Sequence, residues 1–180
     1  MHPHLRALSL DFERNTAEFR ALTSLPPEAL TRKPDPRRWS VLEVIEHLRV
    51  TGDLYYPLLE EAVDAARGAG GDPSAPFRPS LFARLFVHMA GPNSRLRLKA
   101  PALFKPAPAF EDVAALPRFL KQQPRLGELI TRADGCNLNQ TKFPSPISAR
   151  IRFTIGSGLT LMVRHQQRHL LQIGRLRAGS

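Results

Sequence analysis

His165 and His169 stand four residues apart in a segment of helical periodicity, so their side chains project from one face, a single turn apart. A pair at this spacing can chelate one metal ion, because both ring nitrogens come within coordination distance. Spacing alone is a weak signal, since histidines fall four apart by chance in many helices and are then simply solvated. The neighbouring residues argue against solvation here. Arg164, Arg168 and Arg175 fall together on what reads as the wet side, whereas Met162, His165, His169 and Leu176 form a stripe rotated toward the interior.

A third histidine, His47, lies in the stripe of Val44, Leu54 and Leu58, away from the polar positions Glu43, Glu46, Arg49, Asp53 and Glu60. Burying an imidazole nitrogen without a partner costs about 1–3 kcal/mol. The partner is either a hydrogen-bonding group in the core or a metal ion. For one histidine alone the first reading wins. Three inward-facing histidines, on two helices able to face one another, favour a divalent ion on His47, His165 and His169. Imidazole suits zinc, nickel or iron. Three neutral nitrogen ligands leave positions open, as catalytic sites do, and an ion so held polarises water, a thiol or a carbonyl.

The other chemistry-bearing residues offer less. Glu43 and Glu46 read as solvated or capping residues, so no acid–base partner is nominated. Cys136 falls in a loop without a histidine partner in sequence, which argues against a nucleophile. His2 and His4 belong to a terminus expected to fray. His88 closes a short helix, where it interacts with the helix dipole.

The elements that must position these residues are helices. Leu5, Leu8, Phe12, Phe19 and Leu22 mark a first amphipathic helix ending before Pro26-Pro27, followed by a proline-rich connector. Ser40 and Glu43 form a capping box, with Trp39 outside it as a hydrophobic staple, and open a helix that runs to about Arg67. Pro57 inside that helix predicts a kink or a division. Gly68 to Pro79 is a loop. A short helix carries Leu81, Phe82, Leu85, Phe86 and Met89, and Gly91-Pro92 stops it. The stretch Ala100–Pro108 holds three prolines and is extended or turn-like. A further long helix starts at Asp112 or Pro117 and ends at Asp134, kinked at Pro124 and capped by Gly135. Asn137 to Pro146 reads as loop. The alternation of Ile151, Phe153 and Ile155 reads as an extended lead-in rather than a strand. A last helix begins near Ser157 or Gly158 and ends by Arg177.

Four long helices with one short addition predict an all-α bundle in one domain spanning residues 1–180. The length of 180 residues and the apolar content of 42% suit a single substantial core. Gly156-Ser157-Gly158 lacks the Lys-Ser/Thr follow-on of a phosphate loop and reads as a helix start. No apolar run approaches the roughly 20 residues that span a bilayer, so no membrane association is expected. One cysteine precludes an intramolecular disulfide, and the start of the chain lacks a secretory pattern, so a cytoplasmic location is expected. The formal charge of +10 comes mainly from arginine, but the arginines are scattered. That distribution argues against a nucleic-acid stripe.

The run Trp39-Ser40-Val41-Leu42-Glu43-Val44-Ile45-Glu46-His47-Leu48 resembles the second-helix signature of the DinB-like (YfiT-like) superfamily. The run His165-Gln166-Gln167-Arg168-His169-Leu170-Leu171-Gln172-Ile173 is similar to that family's closing motif. The resemblance covers nearly the whole chain in order and spacing. It implies an up-down-down-up four-helix bundle, often a homodimer, with a metal held by one histidine of the second helix and two of the last. All three positions carry over, to His47, His165 and His169. Characterised relatives include metal-dependent transferases that use low-molecular-weight thiols such as bacillithiol or mycothiol, and a mycothiol-dependent isomerase. The resemblance therefore implies a metal-dependent enzyme with a small-molecule substrate. A non-catalytic stress- or damage-response binding protein, its metal structural or vestigial, is the alternative.

Overall fold

Ser40 begins the helix that carries the first histidine. Its hydroxyl accepts the Glu43 backbone N–H at 3.2 Å, while the Glu43 carboxylate accepts the Ser40 N–H at 2.7 Å. This reciprocal pair satisfies two amides the helix cannot. The computed structural model describes residues 1–33, 35–94, 96, 99–108 and 110–178. Six helices form: α1 (Pro3–Ala21), α2 (Pro27–Thr31), α3 (Val41–Ala69), α4 (Leu81–Ala90), α5 (Ala115–Arg132) and α6 (Ile155–Ala178). Two short strands, β1 (Lys142–Ser145) and β2 (Ser148–Thr154), precede α6. Among the described residues no helix is long and apolar enough to cross a membrane.

Polar contacts fix how the long helices lie. Asp53, Glu60 and Asp64 of α3 meet Gln122, Arg125 and Arg132 of α5, so numbers rise together and the two helices run the same way. His47 meets His165, while Leu59 packs beside Gly158, so α3 and α6 run oppositely. His4 and Asn15 of α1 bond to Thr160 and Val163, and Phe19 shares a cluster with Ile173, which makes α1 and α6 parallel. Apolar side chains from all four fill the space between.

Several expectations need correction. The fold is mostly helical rather than all-α, because the predicted loop Asn137–Pro146 and the lead-in after it contain an antiparallel hairpin. Phe143 pairs with Phe153, both are buried, and the alternation at Ile151, Phe153 and Ile155 is therefore a genuine strand signal. Pro144 is tolerated because a two-stranded sheet has only edges. Part of the first proline-rich connector is helical, as α2, with Pro27 in its first turn, where proline's missing N–H costs nothing. Neither Pro57 nor Pro124 divides its helix. The carbonyl that Pro57 leaves without a partner belongs to Asp53, an exposed residue where water can replace the lost bond. Helix α6 begins at Ile155, two to three residues early, with the Thr154 hydroxyl accepting the Ser157 N–H.

The N-terminus is anchored rather than frayed. The His2 ring accepts the His4 N–H, and the His4 ring lies 4.2 Å from that of Phe77 and 2.9 Å from the Thr160 hydroxyl. Glycines permit two close approaches near α6. A Cβ on Gly158 would fall 2.4 Å from Cζ of Phe143 and 3.0 Å from Cδ2 of Leu59. Gly158→Ala is expected to cost about 1–3 kcal/mol through this overpacking. Thermal unfolding followed by circular dichroism measures it; an unchanged midpoint would refute the close packing.

Candidate metal centre

His47 projects from the second turn of α3, and His165 and His169 from successive turns of α6, so the antiparallel pair brings all three rings together. Their ligand atoms lie within 4.8 Å of one another. Ring centroids are 5.2 Å apart for His47 and His165, 4.8 Å for His47 and His169, and 4.5 Å for His165 and His169. His47 is 4% and His169 6% exposed, whereas His165 is only half-buried and marks the side open to approach. Sequence reasoning named each of the three, and the structure assembles all of them.

What sequence reasoning missed is the set of groups that hold the rings. Nδ1 of His47 lies 2.8 Å from the Phe104 carbonyl, and Nδ1 of His165 lies 3.4 Å from the Ala90 carbonyl. Nδ1 of His169 lies 2.9 Å from Oε1 of Gln172. A carbonyl oxygen only accepts, so the short contacts at His47 and His169 place the hydrogen on Nδ1 and leave Nε2 its lone pair. Gln172 stands three residues from His169 and was readable as a partner. The carbonyls of Phe104 and Ala90 were not, because a backbone acceptor has no residue identity.

Arg168, read as a wet-face residue, has a structural duty instead. Its guanidinium donates to the carbonyls of Met89, Gly91, Ser94 and Leu96, strapping the turn after α4 onto α6 beside the histidines. Glu43 and Glu46 are buried rather than solvated. Lys33 pairs with Glu43 at 2.7 Å and Arg49 with Glu46 at 2.7 Å, so neither carboxylate is free to serve the site. Cys136 is buried, and burial raises its thiol pKa, in keeping with an inert side chain.

The profile of the DinB superfamily matches residues 11–173, which includes all three histidines. The chain belongs to the DinB superfamily. No curated protein and no solved structure matches it. In this DinB protein the donor set fits a bound cation on its own chemistry. Nε2 of His47 and Nε2 of His165 stand 3.1 Å apart. A neutral His165 ring with its hydrogen on Nε2 bridges that gap as a hydrogen bond, and with the hydrogen on Nδ1 the two lone pairs converge as a cation's ligands do. A proton is a poor candidate for that cation. Burial lowers all three rings from the ordinary histidine range, His169 well below it and His165 to about 3, and neighbouring rings add to the effect at His165 and His169. Neutral imidazoles with inward lone pairs are what a divalent ion requires. His47, His165 and His169 would hold it, and when bound it supplies Lewis acidity.

The same shifts set a pH dependence for the metal-free protein. The folded rings stay neutral while the unfolded chain takes up protons below about pH 6.5. Their contribution to stability is thus complete above that pH. It is lost as pH falls through the window between about 6.5 and the lowered folded values. His4, lowered to about 4 by burial, acts in the same direction. Urea unfolding of metal-free protein at pH 7.5 and 5 is expected to differ by about 2 kcal/mol for each ring that stays neutral. His165→Gln should flatten that slope, and an equal slope in both proteins would show the rings are not held neutral.

Proposed function

We propose that this DinB protein is a metal-dependent enzyme that acts on a small molecule, a low-molecular-weight thiol being the substrate class. One observation carries the reading: three neutral histidine nitrogens converge with one ring half-open to solvent. Three protein ligands leave positions for a substrate, whereas structural sites close with four. The family membership supports it. The helix directions, with α1 and α6 opposed to α3 and α5, support an up-down-down-up four-helix bundle as the scaffold. Zinc, nickel and iron are all suited to imidazole. A homodimer belongs to the same proposal and is checked by light scattering.

Within this reading the chain's own residues have distinct tasks. The three histidines hold the ion. The carbonyls of Phe104 and Ala90 and the amide of Gln172 fix the ring orientations. The Trp39 ring, 5.2 Å from that of His47, and Phe104 limit water on the buried side. No carboxylate joins the histidine group among the described residues. That feature favours the alternative, a non-catalytic stress- or damage-response binding protein, and the two readings part on turnover. Metal-loaded protein is expected to accelerate conjugation of monochlorobimane to at least one thiol among bacillithiol, mycothiol, glutathione and cysteine. His169→Ala should lower that rate by about a hundredfold or more. Absence of metal-dependent turnover with every thiol would exclude this substrate class.

A further inference from the structure

A cleft of about 310 Å³ lies between α4 and the first half of α6, and none of the three histidines lines it. Its charged lining is entirely basic, Arg84 and Arg164, and His88 adds an imidazole. The Arg84 guanidinium makes no ion pair or hydrogen bond among the described residues. Arg164 reaches only Asp11, at 3.9 Å, and the Gln167 amide oxygen, at 3.1 Å. Some arginines elsewhere are matched closely, as Arg125 is to Glu60 at 2.5 Å and Arg49 to Glu46 at 2.7 Å. The sequence accentuates this imbalance, with six Lys or Arg residues and no Asp or Glu between Asp72 and Glu111. Positive charge gathered in a concave site draws and holds anions.

The remaining walls are apolar and firmly built. Phe77, Ala83 and Val87 line one part of the cleft. The Phe77 ring is held between His4, at 4.2 Å, and α6, where it lies so close to Gly156 that a Cβ there would fall 2.5 Å from its Cε2. Thr160 contributes a hydroxyl to the lining. Guanidinium groups beside an aromatic wall select a carboxylate or phosphate carried on an apolar body. The volume lies at the small end of ligand sites, which span roughly 300–1,000 Å³.

We propose that this cleft is a second binding site, for a small organic anion: one carboxylate or phosphate on an aromatic body. It neighbours the three-histidine centre through a single turn. The Ala90 carbonyl faces His165, while Gly91, the next residue, lines the cleft. The proposal does not depend on the metal being bound.

Calorimetric titration of the full chain with 1-naphthoate and 1-naphthyl phosphate tests this, with 1-naphthalenemethanol and inorganic phosphate as controls. The expected result is one equivalent of either aromatic anion bound with sub-millimolar affinity. The neutral alcohol and inorganic phosphate should bind at least about tenfold more weakly. Arg84→Gln and Arg164→Gln should each weaken the anions about tenfold, with unchanged circular dichroism. His169→Ala should bind them as the unaltered protein does. Equal affinity for the alcohol and the acid would overturn the proposal, as would unchanged binding in both arginine variants or no heat with either anion. Loss of binding in His169→Ala alone would place the anion on the histidine centre and overturn the second site.

Discussion

Metal-free protein given one equivalent of zinc retains it through gel filtration, whereas His47→Ala and His169→Ala retain less than about a tenth of an equivalent. The expectation follows from how few donors there are. Three nitrogens form the whole group of possible ligands among the described residues, so no fourth side chain compensates for a lost one. Affinity should fall by at least about a hundredfold, above the ten- to hundredfold that loss of an orienting partner costs. Gln172→Ala removes only the acceptor at Nδ1 of His169 and should fall within that smaller range. Substituting cobalt gives a second readout, because its visible absorption reports coordination directly. Full retention of metal in both alanine variants would sink the site.

Metal binding should also raise the unfolding midpoint by roughly 8–16 °C. A ligand present at about a thousand times its dissociation constant adds about 4 kcal/mol when the unfolded chain does not bind it. Each kcal/mol moves the midpoint of a domain this size by about 2–4 °C. Two physical terms lie beneath that figure. The ion takes up the Nε2 lone pairs of His47 and His165, which lie 3.1 Å apart, and it ties α3 to α6. Scanning calorimetry with and without a chelator measures the shift. His165→Ala should abolish it while leaving the metal-free midpoint near that of the parent. A shift below about 1 °C would mean that the histidines do not hold the ion.

Much of the scaffold is legible in the sequence because its signals are local. The capping box at Ser40 and Glu43, the stripes of α3 and α6, and the stop at Gly91-Pro92 each depend on residues within a few positions of one another. The hairpin was misjudged for the opposite reason. Phe143 and Phe153 form a strand pair only because both are buried against the helices, and periodicity does not report burial by distant segments. Pro57 shows the same override, since α3 stays continuous where local preference allows a division. Arg168 looked like a surface cation because no sequence rule anticipates four backbone carbonyls as its partners.

The sequence by itself placed His47, His165 and His169 on inward stripes, although it assigned the buried Glu43 and Glu46 to the polar face. Side-chain type and helical spacing suffice for the histidines. Tertiary structure alone decided that His47 and His165, 118 residues apart, meet at their Nε2 atoms. It also decided which nitrogen each ring presents. Ring orientation is set by acceptors at Phe104, in the connector before α5, and at Ala90, the last residue of α4. A carbonyl is the same group at every residue, so only the folded path of the chain determines where it points.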